Sequence, residues 1–165
     1  MRGESELMWE IPVCDRTPED VYFALQKLEE WTLAELTGNP PETYPLKGCV
    51  NRDDLNRIEG NIKWLADRLS ELGYPSGVHS RTWELSDLPT GDDILRILGN
   101  LTALTTAYYL PEGVRIPRSM AVYSEINDIE YLLLRLRELS DCMISCFIKT
   151  GSIKAGQARI LPLRR

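Results

Sequence analysis

The chain has 165 residues, 43% hydrophobic and 27% charged, with four Trp and seven Tyr. These are the values of a folded domain long enough to bury a core without disulfides, and they exclude a disordered chain. The formal net charge of −6, and apolar runs far short of the roughly 20 residues of a membrane helix, argue against direct nucleic-acid binding and against a membrane span.

The charge is unevenly placed. Lys149, Lys154, Arg159, Arg164 and Arg165 are the only charged residues from 149 onward, so these five positive charges leave −11 on residues 1–148. A basic tail on an acidic body suits docking on an acidic neighbour, another copy of the chain included. The acidic start, Met1 to Glu6, has no apolar segment of a signal peptide behind it. The expected location is the cytoplasm of synthesis or a particle assembled there.

Three segments follow from this: an arm over 1–16, a repeat-derived helical domain over 17–148 and the tail over 149–165. In the arm, Met8, Trp9, Ile11 and Val13 are candidate partner-binding residues. A first helix is predicted from Thr17, a capping residue followed by Pro18, Glu19 and Asp20, to about Leu36. A second begins at Asn51 and carries Leu55, Ile58, Ile62, Leu65, Leu69 and Leu72 on one stripe, ending at Gly73-Tyr74-Pro75. The third opens at Thr90-Gly91-Asp92-Asp93 with Ile94, Ile97, Leu101, Leu104 and Tyr108. The fourth runs from Ser124 to about Phe147, with Ile126, Ile129, Leu133, Leu136, Met143 and Phe147 on its stripe and Leu132, Leu139 and Cys146 widening it.

The linkers 37–50, 73–89 and 110–122 are longer than usual bundle connections and carry Tyr44 and Leu46, then Trp83, Leu85 and Leu88, then Val114, Ile116 and Met120. They are expected to cross the bundle and pack on it, with Arg81 to Leu85 the best candidate for a short strand. In the tail, Lys154, Arg159, Ile160, Leu161, Leu163, Arg164 and Arg165 are candidate partner-binding residues, able to extend along a partner's edge.

One pattern is written twice. Asp54-Leu55-Asn56-Arg57-Ile58-Glu59-Gly60-Asn61 returns as Asp93-Ile94-Leu95-Arg96-Ile97-Leu98-Gly99-Asn100. Glu125-Ile126-Asn127-Asp128-Ile129 begins a looser third copy, and Asp20-Val21, Ala24, Leu28 and Trp31 outline a fourth. The paired acids read as first-turn stabilisers, with Asp53 facing Arg57 and Asp92 facing Arg96 at i, i+4. Glycine inside a helix costs about 1 kcal/mol against alanine, so Gly60 and Gly99 suggest a closely approaching backbone to which Asn61 and Asn100 hydrogen-bond.

Reactive chemistry is thinly represented. Cys142 and Cys146 share a helix face, yet with one His and no second thiol pair the better reading of the four cysteines is buried reduced thiols, with no metal and no cofactor. His79 lies in a Ser/Gly/Pro-rich linker, and no phosphate-binding, dinucleotide, zinc-protease or esterase motif is present. The chain is expected not to be an enzyme.

Asp15-Arg16-Thr17 with Asp20-Val21, Leu46-Lys47-Gly48 with Asn51, Asp54 to Glu59, Leu65-Ala66, Gly73-Tyr74, Trp83, Asp87, Pro89-Thr90 and Asn100-Leu101 occur in order. In this the chain resembles small helical proteins encoded among the virion structural genes of phages and prophages of gut Firmicutes, over roughly 15–150. The resemblance implies a tail- or baseplate-associated structural component, made in the bacterial cytoplasm and placed in the virion, with other virion proteins or further copies of itself as partners. It brings no catalytic residues. The combined expectation is an all-α domain of four main helices with long packed linkers, an N-terminal arm and an extended C-terminal tail. The alternative is an acidic inhibitor or regulator of a host or phage enzyme, for which Glu29, Glu30 and Glu35 form only a short stretch.

Overall fold

The computed structural model describes residues 8–36, 38 and 46–151, without the side chains of 35–36 and 147–151. Four helices follow in chain order: α1 (Pro18–Leu36), α2 (Arg52–Glu71), α3 (Gly91–Ala107) and α4 (Tyr123–Gly151). No strand occurs among the described residues, and the fold is all-α as expected. The tail from 152 lies outside the described residues.

Local chemistry sets the helix starts. The Asn51 side chain accepts from the amides of Asp53 and Asp54, while the Asp54 carboxylate takes the Asn51 amide. Thr90 and Asp93 repeat this reciprocal cap, and the Thr90 hydroxyl and amide hold the Asp93 carboxyl down at about 2. Thr17 and Asp20 make a third such pair ahead of α1. Helix α2 ends as predicted at Gly73, whose φ of +91° lets the Tyr74 amide reach the Leu69 carbonyl.

The core is built by α2, α3 and α4. Ile58, Ile62, Leu65 and Leu69 meet Ile97, Leu101 and Leu104 on one side and Ile129, Leu132, Leu133 and Leu136 on the other. The widened stripe of α4 stops short at its far end, where Cys142 and Cys146 are exposed and Met143 is half-buried. The expectation of four buried thiols is not met: Cys142 and Cys146 are exposed, and Cys14 and Cys49 are half-buried.

These three helices run parallel. Arg57 reaches Glu130 and, eleven residues on, Arg68 reaches Ser140 and Asp141, so α2 and α4 advance together. At the ends of α2 and α3, Tyr74 stacks edge-on against Tyr108 with centroids 5.1 Å apart. Parallel neighbours force the chain back along the bundle between helices, which is why the linkers are long. Among the described residues, the arm over 8–17 and the linker over 74–84 carry no helix and pair with no strand.

Asparagines on the helices take the place of a sheet partner. Asn61 bonds both the amide and the carbonyl of Glu10, and Asn127 does so with Arg16. In the second linker Asn100 holds His79 and Asn56 holds Trp83 in the same two-bond manner. The candidate strand Arg81 to Leu85 is therefore extended only to Trp83 and is clamped by side chains. The looser third copy retains Asn127 and Glu130 at the positions of Asn56 and Glu59.

Each of those carboxylates is buried and gripped by an arginine of the repeat. Glu59 accepts two bonds from Arg96 and one from the Trp83 indole. Glu130 accepts two from Arg57, one from Arg16 and one from the Val13 amide at 2.7 Å. Arg16 also bonds Asp54 at 2.9 Å, which Arg57 contacts as well. The Asp53–Arg57 and Asp92–Arg96 partnerships expected from spacing are not formed. Arg57 and Arg96 turn instead to Asp54 and Asp93 and to the buried glutamates, while Asp53 pairs with Arg52.

Two further expectations are corrected. The asparagines do bond crossing backbones, but a Cβ at Gly60 or Gly99 would meet nothing within 4 Å, so no close approach explains either glycine. Helix α1 is not a fourth copy of the repeat. The pair Thr17 and Asp20 that starts it corresponds to Glu84 and Asp87, where a tight turn stands in the second linker. In that comparison α1 is an insertion between clamp and cap.

Removing one partner of a buried ion cluster strands the others, so Glu130→Ala is expected to cost about 3–5 kcal/mol in urea unfolding, far more than the exposed Glu138→Ala. Gly60→Ala and Gly99→Ala should each raise stability by about 0.5–1 kcal/mol by the same measurement.

Candidate interaction surface

The arm is tied down on its own bundle. Trp9 packs edge-on against Trp64 at 5.2 Å, Arg137 covers the Trp9 ring and Arg68 the Trp64 ring, both at 4.9 Å. Of the four candidate arm residues, Trp9 and Val13 are thus engaged within the chain, whereas Met8 and Ile11 are exposed.

From the clamp at Arg16 the chain turns into α1. Gly48 packs directly on its first turn, where a Cβ would come within 2.0 Å of the Asp20 carbonyl oxygen. Lys47 bonds Asp15 at 2.9 Å and lies 3.5 Å from Asp20; it lowers the pKa of the Asp15 carboxyl, while that of Asp20 is lowered chiefly by the Thr17 amide and hydroxyl and less by Lys47. Beyond this fixed start, Ala24 is the only described side chain of α1 that is fully buried, and Tyr22, Phe23, Leu25, Leu28 and Leu33 are exposed. So much apolar surface on one helix exceeds the scatter expected of a solvated face.

The linker residues Leu85 and Leu88, expected to pack on the bundle, are 76% and 85% exposed. The Asp87 carboxylate accepts from the Glu84 amide and from Arg81, closing a turn that aims both leucines outward. They border a groove of about 580 Å³ between α1 and this turn. Leu46, Leu55 and Trp83 form its buried floor; Leu28, Val50, Leu85 and Leu88 form its rim. Its lining is mainly apolar and its size is that of a binding site for a few side chains or a small ligand. A smaller hollow adjoins it through Cys49 and Val50, between Val21 and Val122.

The floor is rigid because the scaffold makes it so: Asn56 fixes the Trp83 backbone, Glu59 its indole, and the cap at Asn51 places Leu55. The groove has no activated thiol. Burial and the nearby Asp54 push the Cys49 thiol up, and burial with Glu130 pushes Cys14 up to about 11.

Of the repeat residues singled out in the sequence, Asp54, Arg57, Asn61, Asp93, Arg96 and Asn100 hold the scaffold, and Gly60 and Gly99 make no special contact. The sequence reading missed Glu59, Glu130, Asn56 and Asn127. A signal was present, since both acids fall within apolar helix stripes. The tail candidates Lys154, Arg159, Ile160, Leu161, Leu163, Arg164 and Arg165 lie outside the described residues. His79 is exposed, with its backbone held by Asn100.

No protein family, curated protein or solved structure matches this chain.

Iodoacetamide at pH 8 is expected to label the exposed Cys142 before Cys14 and Cys49, the order being read by peptide mass spectrometry. Equal rates would mean that the groove wall opens readily in solution.

Proposed function

We propose that the chain is a structural or assembly protein of a phage virion, tail- or baseplate-associated, that works through protein–protein contacts. The observation that carries the contact part is the apolar groove that continues onto the exposed face of α1, built on rigid elements and bordered by Leu85 and Leu88. Burial of such surface drives association at roughly 25 cal/mol per Å² before ordering costs. The virion part rests on the resemblance of residues 15–150, whose motif residues Arg16, Asp54, Asn56, Arg57 and Glu59 are those that hold the scaffold together. On this reading the partners are other virion proteins or further copies of the chain.

The inhibitor reading has less support. Asp54, Asp93, Glu59 and Glu130 are spent on caps and ion pairs, and the acids of α1 fall as Glu19-Asp20, Glu29-Glu30 and Glu35 among apolar side chains.

The test is to purify particles from a host that carries the gene and to count this chain by quantitative mass spectrometry. A fixed copy number per particle is expected, falling when Phe23 and Leu25 are both changed to Asp. Recovery only in the particle-free lysate overturns the proposal.

A further inference from the structure

The groove and the basic tail are complementary, and the geometry of the bundle decides which tail can fill it. The rim is apolar, and the acids next to it in sequence, Glu29 after Leu28 and Glu84 before Leu85, have no cationic partner among the described residues. Helix α1 as a whole carries Glu19, Asp20, Glu29, Glu30 and Glu35 against Lys27 alone. The tail has the opposite character: Ile160, Leu161 and Leu163 stand between Arg159 and Arg164-Arg165, with no acid from residue 149 onward. Apolar anchors flanked by cations suit an apolar groove flanked by carboxylates.

A chain cannot readily serve its own groove. The groove lies at the level of Asn51 and Leu55, the first turn of α2. Because α2 and α4 run parallel in the register set by Arg57–Glu130 and Arg68–Asp141, that level matches the first turns of α4, near Asn127. From there to Gly151 the helix rises about 36 Å at about 1.5 Å per residue. Ser152 to Ile160 then span at most about 32 Å when fully extended. Ile160 of the same chain therefore falls short of the groove, and Leu161, at about 36 Å, comes level with it only when fully extended along the helix axis, so the two anchors cannot seat together once a sideways path is counted.

We infer that the groove between α1 and the 84–88 turn receives the Arg159–Arg165 segment of a second copy, giving a head-to-tail contact. Such a contact is heterologous: each copy offers a groove at one end and a tail at the other, so it propagates into a ring or a filament according to whether the rotation closes. This deepens the assembly reading, on which it rests, by naming the partner and the segment.

The experiment uses two full-length variants. Leu85→Asp with Leu88→Asp spoils the groove and spares the tail; Ile160→Asp with Leu161→Asp does the reverse. Leu85 and Leu88 are exposed, and circular dichroism melts would verify that both variants fold. By light scattering the unmodified chain should show mass rising with concentration, and each variant alone should associate at least about tenfold more weakly, as expected for anchors in a desolvated groove. Mixed together, the two should form a one-to-one dimer and nothing larger, through the one intact groove and the one intact tail. Raising salt should weaken that dimer.

A mixture that stays monomeric, a groove variant that assembles as the unmodified chain does, or an unmodified chain that is monomeric throughout overturns the inference. Each of these outcomes leaves the particle count free to succeed, so the failure of this contact is separable from failure of the virion reading.

Discussion

A buried carboxylate on α4 governs the arrangement of the rest. Glu130 is inaccessible to solvent and is shared by guanidinium groups from the arm and from α2, with Asp54 balancing the second positive charge. Ions removed from water are costly, and this cluster is tolerable only when all four groups and the Val13 amide are in place. It therefore acts on specificity more than on net stability. Sliding α4 along α2, or lifting the arm, would leave a charge in the core without its partner, whereas an apolar stripe alone would accept several registers.

The same device occurs at Glu59, where Arg96 replaces Arg57 and the Trp83 indole takes the place of Arg16. Crossing segment, clamping asparagine, buried acid and arginine from a neighbouring helix form one unit used twice. The placement of α1 follows from that unit, because its start is fixed by the first clamp and by Gly48, while the rest of the helix is free to present Phe23, Leu25 and Leu28. A scaffold that needs so little from α1 leaves its surface available for other uses.

Much of the fold was legible in the sequence because it is local. Caps at Asn51 and Thr90, the glycine stop at Gly73 and three apolar stripes depend on residues within a few positions of each other. What escaped was long-range. The partners of Arg57 and Arg96 lie on neighbouring helices, and i, i+4 spacing gave the wrong acid in both cases because Asp54 and Asp93 already face inward through their caps. Gly60 and Gly99 led to a correct expectation, asparagines bonding a crossing backbone, for an incorrect reason. The groove was the least legible part. Leu85 and Leu88 read as packed linker residues, and only the turn closed by Asp87 sends them outward.

The distance in sequence between the arm and its clamps has a consequence for synthesis. Val13 and Arg16 meet Glu130 and Asn127 across separations of 117 to 111 residues. On the ribosome, the arm thus waits for α4 before it can settle, while its Val13 remains uncovered. Contacts of that span slow folding and lengthen the time during which nascent chains on one message can pair with each other. At that stage the charge demanded by Glu130 discriminates a correctly placed arm from a misplaced one.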